Sequence, residues 1–190
     1  MVPGGRRHRI FSTAGAGTLV AGPTHASSGD AGITVGPDGN LWTTGYDGIY
    51  RTTPNGTTTM LPIPGNIAPI PTRIARGPDG NLWFTENQAT KQGIARMTPD
   101  GTATEFPLLP AVSFRHVRDI VSAPDGNLWF TEPETGVGGD PNAAAIGRIT
   151  PDGTITEFTF DGDPWGITVG PDGSLWFTDT TAFKIVRFIR

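Results

Sequence analysis

The sequence predicts an all-β fold of about four four-stranded blades, the architecture of a β-propeller, and three observations carry that expectation. First, one phrase is written four times: GPDGNLWTT from Gly36, GPDGNLWFTE from Gly77, APDGNLWFTE from Ala123 and GPDGSLWFTD from Gly170. Its tryptophans, Trp42, Trp83, Trp129 and Trp176, stand 41, 46 and 47 residues apart, the spacing of one blade per repeat. Second, the 27 Gly and 18 Pro among 190 residues recur at fixed offsets beside Trp, Leu, Ile and Phe. They punctuate folded elements instead of marking low complexity. Third, no stretch has the periodicity of a long amphipathic helix.

The N-terminal segment, residues 1–29, has two readings. Arg6, Arg7, His8 and Arg9 precede IFSTAGAGTLVAG, with Ala26 in a small-residue context, a loose fit to a secretory signal. Alternatively, Arg9 to Pro23 can be laid over RITPDGTITEF, which makes Thr18 to Ala21 a strand that completes the last blade. Residues 30–190 hold the repeats, with blades at about 30–65, 70–110, 115–161 and 163–190.

The second repeat shows the logic of each blade. RIARG (73–77) is strand A, and PDG turns the chain into strand B, NLWFTE (81–86). A polar loop leads to strand C, GIARMT (93–98), and a second PDG leads to strand D, TATEFPL (102–108). Pro presets φ for the first central turn position, and Gly takes the positive-φ position that ends a three-residue hairpin loop. The PDG strings at 37, 78, 99, 124, 151 and 171, with PNG at 54, are therefore hairpin turns. Calcium loops are the alternative, but the alternating acids and distal Glu of an EF-hand are absent. Trp and Phe of LWFT lie on opposite faces of strand B, and both are expected in the core because a blade is buried on both faces. The fourth repeat has A (166–170), B (174–179) and C (184–189) and lacks D. Four blades close as a ring, stay an open arc, or pair with a second chain, and an open arc exposes apolar faces that favour self-association.

The formal charge is −4 and no segment is strongly basic, so nothing suits a nucleic-acid partner. With no cysteine there is no disulfide or thiol chemistry. No apolar run reaches transmembrane length. The compartment stays open between cytoplasmic and secreted. Walker A, G-x-S-x-G, H-E-x-x-H and C-x-x-C motifs are all absent.

GPDGNLWFTE followed by IGRITPDGTITEF (146–158) resembles the virginiamycin B lyase, or streptogramin lyase, family, over essentially Ala31 to Arg190. The resemblance implies a shortened or partial member of a seven-bladed propeller type. It also implies a bacterial carbon–oxygen lyase of antibiotic resistance, which linearises streptogramin B by elimination using Mg²⁺ and a catalytic His. Two further functions are weighed beside it. One is a non-catalytic module that binds a ligand or protein, or assembles with its own copies. The other is a metal-dependent lactonase-like hydrolase, by analogy of fold.

Chemistry is expected on the face that carries the B–C and D–A loops, because the opposite face holds only tight turns. Glu86, Glu132 and Asp179 share one slot at the end of strand B. They are the candidate Mg²⁺ ligands, since hard cations need such oxygens and the resembled lyases hold metal with carboxylates on this face. The alternative is that each caps its own loop or pairs with a nearby Arg or Lys. The resemblance places the catalytic His two residues before the Ile of strand A, where this chain has Ala31, Thr72, Arg118 and Trp165. His116, two residues upstream of that slot in FRHVRDI, is the candidate base, against a plain loop histidine. Arg73 and Arg118 are read as equivalent edges of blades two and three. With Trp165 they form the candidate substrate site for a carboxylate or peptide-like ring, against solvent-facing Arg and a packed Trp. The insertion Pro133 to Ala145 lengthens one B–C loop and is either a lid or loose chain.

Overall fold

The computed structural model describes residues 32–64, 70–87, 92–108, 116–133 and 144–189. The two readings of the N-terminal segment and the tip of the 133–145 insertion lie outside those residues.

All regular structure among the described residues is β-strand, in four antiparallel sheets. The first is β1 (Ile33–Val35), β2 (Leu41–Gly45), β3 (Gly48–Thr52) and β4 (Thr58–Leu61), in that order. The second is β5 (Pro71–Arg76), β6 (Leu82–Asn87), β7 (Gln92–Met97) and β8 (Ala103–Pro107). The third is β9 (Asp119–Ser122), β10 (Leu128–Glu132), β11 (Ala145–Ile149) and β12 (Ile155–Thr159). The fourth is β13 (Pro164–Val169), β14 (Leu175–Asp179) and β15 (Lys184–Phe188). Each sheet is one blade of a propeller. Strand contacts run from blade one to two, two to three and three to four.

The turns form as the local chemistry dictates. In the A–B turn of blade two, Gly77 N–H donates to Asn81 O at 2.8 Å, and Gly80 takes the left-handed conformation at φ 76°. The Asp of the phrase has a further task. Asp79 Oδ1 accepts the Asn81 N–H at 3.2 Å and the Trp83 indole N–H at 3.0 Å. Asp38 serves Trp42 in the same way at 2.9 Å, Asp125 serves Trp129 at 3.0 Å and Asp172 reaches Trp176 at 3.5 Å. A Trp buried in the core must satisfy its one polar hydrogen. PDGNLW therefore couples a turn to the ring four residues on, a link the turn reading alone missed.

Both faces of each inner blade are packed. Trp83 and Ile94 of blade two join Ile120, Leu128, Phe130 and Ile149 of blade three in one apolar cluster. Trp42 and Ile49 of blade one pack on Ile74, Leu82 and Phe84 of blade two. Trp129 and Ile146 of blade three pack on Ile167, Leu175 and Phe177 of blade four. One rule holds throughout: Trp of strand B faces the next blade, while Phe of strand B and Ile of strand A face the previous one. A second repeated bond links the blades. Arg51 lies over Trp42 and donates to the Pro99 carbonyl of the next blade at 3.3 Å. Arg96 lies over Trp83 and donates to the Pro151 carbonyl at 2.9 Å.

Candidate functional site

The innermost strand of each blade begins on the loop-bearing face, and its first residues build the site. In blade two the register slips: Pro71 pairs with Glu86 but Ile74 with Phe84, which leaves an extra residue. Blade four repeats this between Pro164 and Ile167. Pro has no N–H for the ladder, so a strand that opens on Pro tolerates such a bulge. The freed N–H groups find a side chain instead. Arg73 N–H and Gly166 N–H each donate to the hydroxyl of the strand-B threonine, Thr85 and Thr178, both at 3.1 Å. Blade three has Val117 at that place, and Asp119 pairs directly with Thr131.

This register corrects one expectation. Counted from the anchoring isoleucines Ile74 and Ile120, Arg73 is equivalent to Asp119, not to Arg118. Side chains alternate along a strand, so a shift of one residue reverses the face. Arg73 consequently reaches across to the next blade, with Nε 3.9 Å from Asp119 Oδ1. Asp119 in turn accepts the N–H of Ile120 on Oδ1 and the N–H of Ile167, in blade four, on Oδ2, both at 3.0 Å. One half-buried carboxylate thus touches three blades. Desolvation raises its pKa above the ordinary 3.8, against the pull of those two N–H groups and of Arg73 and Arg118.

Arg118 and Trp165 are brought together. The guanidinium lies over the indole, 4.0 Å from its centroid, and the Trp165 ring is 40% exposed. The stack joins equivalent positions of neighbouring blades, since Ile120 and Ile167 each stand two residues on. The backbone beneath it is pinned: Thr131 Oγ donates to Trp165 O at 2.6 Å, and Arg118 N–H donates to Thr131 O at 2.8 Å. His116 is exposed at the entry to this strand. Its pKa is lowered from 6.5, first by desolvation and then by the Arg118 charge. Asn87 sets the entry. Its amide donates to Val117 O at 2.8 Å and accepts the Val117 N–H at 3.0 Å, tying the end of β6 to the residue between His116 and Arg118. Sequence reasoning passed over Asn87. The only signal was a polar residue after TE where the third repeat has Pro133.

The three carboxylates hold the same place in their blades. Glu86, Glu132 and Asp179 are all buried, each at the end of its strand B. Glu86 lies in a tight crevice with Gln92, Glu105 and Phe106 of its own blade. Asp179 Oδ1 accepts three backbone N–H groups, from Asp163 at 3.2 Å, Thr181 at 3.1 Å and Ala182 at 3.2 Å. It caps its own loop. Among the described residues no three of His, Asp and Glu stand together as a metal-binding group.

No helix of the described residues is long and apolar enough to cross a membrane. No curated protein matches the chain. Among solved structures, a streptogramin B lyase is 37% identical with a TM-score of 0.65, over 80% of this chain and 48% of that one. A virginiamycin B lyase from Staphylococcus aureus is 35% identical with a TM-score of 0.66, over 84% and 55%. A catalytically inactive His-to-Ala form of that enzyme, with quinupristin, gives 35% identity and a TM-score of 0.67, over 83% and 54%. A gluconolactonase from Xanthomonas campestris, 20% identical with a TM-score of 0.63 over 87% and 59%, shares the fold. The chain spans about half the length of the lyases it matches. The profile of the virginiamycin B lyase family matches residues 5–140 and again 93–190, and on that coverage the chain belongs to the virginiamycin B lyase family.

Proposed function

We propose that the chain binds a cyclic depsipeptide of the streptogramin B class on the Arg118–Trp165 face and opens it by elimination. The observation that carries this reading is the guanidinium–indole stack at 4.0 Å. It occupies the inner-strand slot where the resemblance puts the catalytic residue. The exposed indole offers an apolar face to a substrate ring, and Arg118 holds a fixed positive charge beside it. His116, with its lowered pKa, is neutral at pH 7 and able to take a proton.

The reaction balances without water. His116 removes the proton from a carbon next to a substrate carbonyl. The electron pair forms a carbon–carbon double bond, the carbon–oxygen bond of the ester breaks, and the oxygen leaves as carboxylate. Arg118 stabilises the charge that develops. The steps as drawn use this chain's own residues, and none is routed through Mg²⁺.

The test is incubation of the purified chain with quinupristin, with product followed by mass and fragmentation. An opened ring at unchanged mass is expected, and His116→Ala should slow it by about 10²–10⁴-fold. No product from a folded sample refutes the elimination, and a product heavier by one water shows hydrolysis instead. A second reading, binding without turnover, is favoured by the slot itself, which holds Thr72, Arg118 and Trp165 and no His. Under it, quinupristin changes Trp fluorescence, Trp165→Ala abolishes the change, and no product forms.

A further inference from the structure

Among the described residues, both ends of the blade row carry exposed apolar side chains at positions that are buried inside the row. On blade one, Ile33 and Leu41 hold positions that face a previous blade and are exposed by 65% and 42%. Their register equivalents Ile74, Leu82, Ile120 and Leu128 are at most 7% exposed. On blade four, Ile185 faces the next blade and is 73% exposed, while its equivalents Ile94 and Ile146 are 0% and 1% exposed. A shallow groove of about 340 Å³, lined by Thr168, Trp176, Thr178 and Ile185, runs along that face. Exposed apolar surface of this extent marks an interaction site.

We infer that blade four of one copy docks on blade one of a second copy, head to tail, by the same packing that joins the blades within the chain. The socket pattern is already built three times, and it tells which faces match: Trp and strand-C Ile on one side, strand-A Ile and strand-B Leu on the other. The polar latch points the same way. Arg51 and Arg96 each cross to the Pro carbonyl of the next blade's C–D turn. The equivalent Arg187 lies over Trp176, with no further blade beyond it among the described residues. It folds back instead, with Nη2 2.5 Å from Asp172 Oδ2, whereas Arg96 stays 4.0 Å from the corresponding Asp79. The carbonyl that corresponds to those of Pro99 and Pro151 is that of Pro54, in the exposed PNG turn of blade one. Joined this way, the contact is heterologous, and two copies that close make an eight-bladed ring, within the usual range of about 4–8 blades.

Sedimentation of the full 190-residue chain across a concentration series tests this. The expected result is a concentration-dependent species heavier than the 20.1 kDa chain. Ile33→Asp and Ile185→Asp should each give a monomer, since every junction uses one of each face. An equimolar mixture of the two variants should associate again into pairs, because one intact face of each copy remains. Arg187→Ala, at an exposed side chain, should weaken association by about 10–100-fold without unfolding the blades. A chain that stays monomeric at all concentrations overturns the inference. Assembly that survives either Asp variant alone overturns it too, because that contact would pair like faces. So does a mixture that fails to associate.

Discussion

Gly147→Ala should destabilise the fold, although simple rules favour it. Gly147 sits in β11, directly across from Phe130 of β10. At the same register in blade two, Ala95 faces Phe84, so the repeat itself argues that Ala fits. Replacing Gly by Ala where the backbone allows it gains about 0.4–1 kcal/mol from a less flexible unfolded chain. The structure opposes that gain. A Cβ on residue 147 would stand 2.1, 2.2 and 2.7 Å from Cζ, Cε2 and Cε1 of Phe130. Carbon atoms in contact prefer about 3.5–4.0 Å, so the ring would have to move by more than an ångström. Phe130 is fully buried between blades two and three and has no room to do so. Overpacking of this kind costs about 1–3 kcal/mol. Taking the middle of each range, the net loss is about 1.3 kcal/mol, or a Tm lower by about 3–5 °C at this chain length. Thermal and urea unfolding of Gly147→Ala, Phe130→Ala and the double variant read it directly. With the ring removed, the Gly147 change should become neutral or stabilising. A raised Tm in the single variant, or an equal effect in both backgrounds, would refute the steric argument.

Two further perturbations test the phrase and the loop carboxylate. Asp79→Ala leaves the buried Trp83 N–H without its acceptor and should cost about 1–3 kcal/mol in urea unfolding, while Asp79→Asn, which keeps an acceptor, should recover most of it. Equal losses in both variants would show that the indole bond is not the source. Asp179 has its pKa lowered from 3.8: desolvation alone would raise it, but the N–H groups of Asp163, Ala182 and Thr181 and the charge of Lys184 outweigh that. A lowered folded value means that the carboxylate's contribution is present above the unfolded value and lost as pH falls through the folded one. Asp179→Asn should accordingly flatten the loss of stability below pH 3.8, measured by unfolding across an acid series. An unchanged acid limb would rule out this carboxylate as the titrating group.

The sequence by itself determined the blades. Strand, turn and core face depend on neighbours within a few residues: PDG makes its own hairpin, Trp83 finds Asp79 four positions back, and alternation sorts Trp83 from Phe84. Such interactions repeat wherever the phrase repeats, so they are legible without a structure. The site is another matter. Arg118 meets Trp165, and Asp119 meets Ile167, across 47 and 48 residues, and Asn87 holds Val117 across 30. Those meetings depend on how far one blade is rotated against the next and on the bulges that follow Pro71 and Pro164. Counting back from Ile74 and Ile120 already sets Arg73 level with Asp119 in the sequence, and the fold brings the two together. Likewise, the sequence left three carboxylates in one repeat position open between a shared opening and their own loops. Only the tertiary structure decided that Asp179 turns to its own loop, because backbone N–H groups within hydrogen-bond reach satisfy a buried carboxylate before any distant axis can.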